Sequence, residues 1–171
     1  PFIAAHIQID LIQFYKMIIA FFSFSLSASG VYVFNDIIDI ENDRKHSSKR
    51  KRLLASGVFQ KKIAYIIIPL FYISSLSLAF FVNINFALII FTYIVLNKIF
   101  SLFLKKFFLI DCIILANFYT LRIFSGSEAL SIKLSFWLIS FSIFIFLSLA
   151  LLKRYVELNE RKKYVNFSTY G

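Results

Sequence analysis

Five predominantly apolar stretches, at 11–34, 62–82, 84–104, 108–127 and 132–152, set the terms on which this chain can fold. Each is close to the ~20 residues that a helix needs to cross about 30 Å of hydrocarbon, where every backbone N–H and C=O must be satisfied within the segment itself. The expected architecture is therefore all-α, a polytopic transmembrane helix bundle with five spanning helices. Composition agrees. Hydrophobic residues make up 60% of the chain, charged residues 16%, and the mean hydropathy is +0.79, values that exclude a water-soluble domain of this size. With Pro1 at its start and a polar, basic stretch before Gly171, the chain is expected to be one membrane domain, 1–171, truncated at both ends.

The charges are distributed in a way that fixes an orientation. Of the 19 Lys and Arg residues, eight lie between Arg44 and Lys62, three are Lys98, Lys105 and Lys106, and five run from Lys153 to Lys163. The two short turns, Asn83 to Asn85 and Gly126 to Ser131, carry only Glu128. Alternating passes put all the basic connections on one side, so the positive-inside rule places 35–61, 105–107 and 153–171 in the cytoplasm. The formal net charge of +10 is then a matter of topology, and it does not imply nucleic acid as a partner; membrane lipids are the expected surroundings. Cys112 is the lone cysteine, which rules out an internal disulfide.

Chemistry concentrates between Asn35 and Gly57, in NDIIDIENDRKHSSKRKRLLASG. Asp36, Asp39 and Asp43 fall at i, i+3 and i+7, so a helix continuing past Asn35 stacks all three carboxylates on one face. Like charges so placed repel unless a cation lies between them. Mg²⁺ suits such a place, being a hard ion held by one or two carboxylates, waters and substrate phosphate oxygens. Asn35 adds a neutral oxygen. Arg44 and the run Lys49-Arg50-Lys51-Arg52 supply cations, and the planar fork of an arginine matches phosphate oxygens. Together these are the parts of a metal–diphosphate site. The plainer reading, a solvated loop whose bases only set orientation, is the one we take for Lys51, Lys61 and Lys62.

Two further polar groups interrupt the apolar segments. Arg122 follows Asp111 by eleven residues, three helical turns on nearly the same face, and lies roughly 16 Å deeper at about 1.5 Å per residue. A cation there must face a cavity or a partner. Either it forms an ion pair inside the bundle or it binds a substrate phosphate, and both readings stay open. The last segment ends Lys153-Arg154-Tyr155-Val156-Glu157, either a surface i, i+4 pair or a second binding cluster.

The Asn35 loop resembles the first signature, Asn-Asp-x-x-Asp-x-x-x-Asp, of the UbiA-type superfamily of intramembrane prenyltransferases. It is most similar to the branch that moves phosphoribose onto polyprenyl (decaprenyl-type) phosphate, through Asn35, Asp36, Asp39, Asp43, Arg44, His46, Lys49, Arg50, Arg52, Ala55 and Gly57; Ser47 and Leu53 replace two prolines of that pattern. Ser101 and Lys105, with Phe100 in place of a tyrosine, resemble a second stretch of the family; Asp111, Arg122 and Gly126 resemble a third; Lys153, Arg154 and Glu157 resemble the basic motif of the phosphoribosyl branch. What the resemblance implies is a Mg²⁺-dependent enzyme of the bacterial cytoplasmic (inner) membrane that uses phosphoribosyl pyrophosphate and a polyprenyl phosphate. In that reading Asp36, Asp39 and Asp43 are the metal-binding and catalytic residues, and Asn35, Arg44, His46, Lys49, Arg50, Arg52, Lys105, Asp111, Arg122, Lys153, Arg154 and Glu157 bind substrate. The alternative is a prenyltransferase moving an isoprenoid from its diphosphate to an aromatic or other acceptor.

Overall fold

A computed structural model describes residues 10–45, 49–104 and 108–168. These form five α-helices: α1 (Leu11–Lys45), α2 (Lys61–Val82), α3 (Ile84–Leu102), α4 (Phe108–Ala129) and α5 (Phe136–Ser168), with a 3-10 turn at Lys49–Lys51 and no strand among the described residues. Four of the five are long and apolar enough to cross a membrane, α5 through its Phe136–Val156 part. The exception is α4, which carries Asp111, Arg122 and Glu128; it is held in the bundle by packing between α3 and α5.

Two helices run well past their expected ends. α1 continues from 34 to Lys45, for 35 residues in all, about 52 Å at ~1.5 Å per residue, against a hydrocarbon core of about 30 Å. Its extension still has something to bury: Ile40 is enclosed with Leu54 and Ala64, and Val33, Ile37 and Phe59 pack around them. Arg44 and Lys45 in its last turn also offset the negative end of the helix dipole. α5 starts at Phe136 rather than 132 and continues through 152 to Ser168. Much of what reads as loop at 35–61 and 153–171 is therefore helix.

The closest packing joins α1 to α2. Small residues let two backbones approach where no hydrophobic force separates protein from lipid, and hydroxyls between helices then find carbonyl partners. Ser23 Oγ donates to the Ser75 carbonyl at 2.8 Å, and Ser75 Oγ returns a bond to the Ser23 carbonyl at 2.7 Å, both residues being fully buried. Seven residues on from Ser23, Gly30 lies under the Tyr72 ring, where an added Cβ would stand 2.6 Å from Cε1. Beside this seam Phe24, Tyr93, Phe118 and Phe100 meet in tilted and edge-to-face contacts, a continuous aromatic layer that links α1, α3 and α4.

At the end away from the basic connections the turn between α2 and α3 is tied to α4. Asn83 caps α3 by accepting from the Phe86 N–H at 2.7 Å, and its amide donates to the Glu128 carbonyl at 3.0 Å. Asn85 donates to the Glu128 carboxylate at 2.8 Å. At the opposite end Ser101 of α3 donates to Asn35 of α1. α1 and α3 thus run parallel and α4 antiparallel to both.

A methyl group at Gly30 has to displace a buried ring. Gly30→Ala is expected to destabilise the helix pair by about 1–3 kcal/mol, the usual cost of overpacking. The check is the thermal aggregation midpoint of the detergent-solubilised protein, which should fall in Gly30→Ala and recover in part when Tyr72→Leu is added; an unchanged midpoint would contradict the close approach.

Candidate functional site at the basic end of the bundle

Because α1 remains helical beyond Asn35, Asp36, Asp39 and Asp43 stand in a row on one face, as their spacing implies. Tyr32, four residues before Asp36, extends that row inward. The cation that the row requires comes from the chain itself. Arg52 Nη1 lies 3.0 Å from Asp36 Oδ1 and 2.9 Å from Asp43 Oδ2, so one nitrogen joins carboxylates two helical turns apart. Asp39, half-buried between them, also has its partners.

The loop is folded to deliver that guanidinium. The Arg52 N–H donates to the Lys49 carbonyl at 3.0 Å, Ser56 N–H to the Arg52 carbonyl at 2.8 Å, and Phe59 N–H to the Leu53 carbonyl at 3.1 Å. Gly57, with φ of 82°, supplies the left-handed step that other residues adopt only with strain. Leu54 and Ala55 turn inward and are buried. Arg44, expected to bind substrate, donates through Nε to the Ala55 carbonyl at 3.1 Å and braces this fold. Lys49 and Arg50 stay exposed, which leaves them available to an anion. Asp43 is buried while the Arg52 side chain keeps 43% of its surface open, so solvent screens the pair and its net worth is about 1 kcal/mol rather than that of a fully buried bridge.

Asn35 and Ser101 bring the family's first and second stretches together at the same end. His46 and Lys105 lie outside the described residues, as does the side chain of Glu157, although α5 passes through that position. Lys153 is exposed and Arg154 half-buried on α5; Asp111, half-buried on the first turn of α4, has its partners.

Arg122 sits among aromatic side chains. Its guanidinium carbon is 5.0 Å from the Tyr119 ring centre and 5.8 Å from that of Phe24, and the phenols of Tyr32 and Tyr93 are near enough to act on its charge. Its Nε is buried with no acceptor. Side chains lean toward the N-terminus of their helix. On antiparallel α1 and α4, therefore, Tyr32 leans inward and Arg122 leans toward the basic end. The recorded neighbours of the guanidinium are rings and phenols, which attract a cation without cancelling its charge.

Sequence reasoning did not find Tyr32, Tyr93 or the setting of Lys98, whose ammonium lies 4.7 Å from the Tyr72 ring centre and 6.0 Å from that of Phe34. Tyr32 had a usable signal, its i−4 spacing from Asp36. Tyr93 is on another helix and had none.

The fold and site define an integral membrane protein with an acid-and-base cluster at one end of a helix bundle. Residues 2–167 match the model of the UbiA prenyltransferase family, and the chain belongs to that family. It is 34% identical over 144 residues, 84% of its length, to the decaprenyl-phosphate phosphoribosyltransferase of Mycobacterium tuberculosis, covering 48% of that protein. It is similarly 34% identical over 142 residues, 82% of its length, to the enzyme of that name from Corynebacterium glutamicum, covering 43% of it. A nodulation protein, NoeC, of Azorhizobium caulinodans is 32% identical over 158 residues, 90% of this chain and 50% of that one. The chain thus spans half the length or less of these relatives.

If Arg52 holds the loop on α1, its loss frees the basic run. Arg52→Met should speed tryptic cleavage after Lys49, Arg50 and Lys51 about fivefold, the change expected when a pair worth about 1 kcal/mol is lost. The readout is the rate at which intact chain disappears in limited proteolysis, and equal rates would show that the loop is held by other contacts.

Proposed function

We propose that this chain forms the diphosphate-binding part of a membrane transferase that moves 5-phosphoribose from phosphoribosyl pyrophosphate to a polyprenyl phosphate at the cytoplasmic membrane face. The observation that carries the reading is the carboxylate row of Asp36, Asp39 and Asp43, closed by Arg52, with exposed Lys49 and Arg50 beside it. One acidic and one basic cluster suit one metal–diphosphate and one metal-free phosphate. The phosphoribosyltransferase relatives support the same assignment of substrates.

Among the described residues no three His, Cys, Asp or Glu side chains are gathered into a cage; Mg²⁺, which keeps waters and takes one or two carboxylates together with substrate phosphates, does not require one. Asp36 and Asp39 are the carboxylates that would hold it, with Asp43 anchoring Arg52 behind them. When bound, such an ion stabilises the charge that gathers on departing pyrophosphate. Lys49 and Arg50 bind the outer diphosphate oxygens, and Asn35, fixed by Ser101, orients them. His46 and Lys105 join the site by resemblance.

The bond from the anomeric carbon to the diphosphate oxygen breaks, and a bond from the same carbon to a lipid phosphate oxygen forms. The nucleophile is already ionised, so no side chain has to take a proton from it. Arg122, Lys153 and Arg154 hold the acceptor phosphate. The second reading, a prenyltransferase acting on an aromatic or other acceptor, draws on the same carboxylates and on the family's name. Lys153 and Arg154 near the end of the apolar part of α5, where a second acidic cluster would serve a prenyl diphosphate, favour phosphoribosyl transfer.

Membranes carrying the complete reading frame, given labelled phosphoribosyl pyrophosphate and polyprenyl phosphate with Mg²⁺, are expected to yield a labelled lipid. A labelled lipid formed only from a prenyl diphosphate and an aromatic acceptor would establish the alternative. Asp39→Asn removes a metal-binding charge and should lower the rate by at least about 100-fold, in line with the loss of preorganised charge at a leaving group, while the protein still reaches the membrane in normal amount. An active Asp39→Asn protein would rule out the metal role.

A further inference from the structure

The turn that joins α1 to α2 carries apolar side chains that the fold leaves largely uncovered. Leu53 keeps 65% of its surface open and Val58 78%, and a Cβ added at Gly57, between them in sequence, would meet nothing within 4 Å. Their neighbours do pack: Leu54 is enclosed with Ile40 and Ala64, and Phe59 lies against that cluster. The Phe59 N–H bonds the Leu53 carbonyl at 3.1 Å and the Ser56 N–H bonds the Arg52 carbonyl at 2.8 Å, so Leu53 and Val58 are presented by a closed turn. Length places that turn at the surface of the bilayer. α2 has 22 residues from Lys61 to Val82, about 33 Å of helix against about 30 Å of hydrocarbon, so when it crosses the membrane Lys61 stands at the headgroups. Val58 is three residues earlier, no more than about 10 Å of extended chain away, and the bond to Phe59 brings Leu53 alongside.

Ile63, Ile66, Leu70 and Ile73, all exposed, fall at i, i+3, i+7 and i+10 on α2, an apolar stripe that runs up to the exposed Lys61 and Lys62. Apolar side chains at the headgroup boundary with lysines beside them have the composition of a surface that binds anionic lipid. We infer that the turn at 53–62 docks on anionic phospholipid of the bilayer: Leu53 and Val58 enter the boundary between headgroups and acyl chains, and Lys61 and Lys62 bind lipid phosphates. The orientation of the chain accounts for the two bases, but not for the open apolar pair beside them. Docking also bears on the carboxylate row. Arg52, which joins Asp36 and Asp43, directly precedes Leu53, so an anchored Leu53 limits how far the guanidinium can leave. Such docking is independent of which group the protein transfers.

A nitroxide on Val58→Cys, in protein of the complete reading frame freed of other reactive cysteines and placed in bilayers, reports docking through its collisions with oxygen, which concentrates in the membrane, and with a water-soluble nickel complex. A label on Lys45→Cys, at the exposed end of α1, serves as the water-exposed reference. In phosphatidylcholine with about one third phosphatidylglycerol the label at 58 should be open to oxygen and shielded from nickel, and its ratio of inserted to water-exposed component should exceed that in phosphatidylcholine alone at least about fivefold, the effect of one base near an anionic surface. Lys61→Gln with Lys62→Gln should abolish that difference between lipids, and Lys61→Arg with Lys62→Arg should keep it. A label at 58 as open to nickel as the reference overturns the proposal. So does a label shielded from oxygen and nickel alike, which would place another part of the protein over the turn. Equal insertion in the two lipids, or a difference that survives the loss of both lysines, overturns it as well.

Discussion

Three carboxylates stacked on the end of one helix are an electrostatic problem before they are a binding site. At spacings of three and four residues Asp36, Asp39 and Asp43 cannot avoid one another, and the helix that carries them ends with its own negative dipole. The fold answers with Arg52, bonded to both outer members of the row. Much of the connection between α1 and α2 serves that bond: the 3-10 turn, the left-handed Gly57, the buried Leu54 and the brace from Arg44 to Ala55 all set where the guanidinium lies. In the function proposed above, a row balanced by a single shared cation would accept a second, smaller and harder one when a diphosphate brings its own negative charge.

The membrane part of the structure sets the register of that end. The Ser23 and Ser75 hydroxyls exchange bonds across α1 and α2, Gly30 admits Tyr72, and Asn35 is fixed to Ser101 of α3. Each is a contact between small or polar groups, as expected where lipid and side chains are equally apolar and packing must replace the hydrophobic force. Arg122 follows the same logic. A cation inside the bundle is tolerated because the Tyr119 and Phe24 rings lie within cation–π distance and phenols stand near it.

The helical bundle was legible in the sequence because apolar length is a local signal, and the one-faced carboxylates were legible because helical spacing is local too. What was not legible was mostly nonlocal. Nothing in Lys49-Arg50-Lys51-Arg52 says which of the four bases turns back to the helix; that depends on the burial of Leu54 against Ile40 and Ala64. The extension of α1 to Lys45 read as loop because its polar residues outnumber its apolar ones, although Ile37 and Ile40 keep the helical period that carries it onward. Tyr93 could not be linked to Arg122 without knowing that α3 lies beside α4. α4 shows the converse: its charges lower its apolarity below that of its neighbours, yet packing between α3 and α5 keeps it in the bundle.

The central claim is that the α1 carboxylates hold a divalent cation together with a diphosphate, and Mn²⁺ as a paramagnetic stand-in for Mg²⁺ tests it directly. Electron paramagnetic resonance of the purified membrane protein should show little bound Mn²⁺ alone and stoichiometric binding, with phosphorus couplings, once phosphoribosyl pyrophosphate is added, and Asp36→Asn should abolish that signal. Mn²⁺ bound equally well by Asp36→Asn, or bound without any phosphorus nearby, would contradict the account.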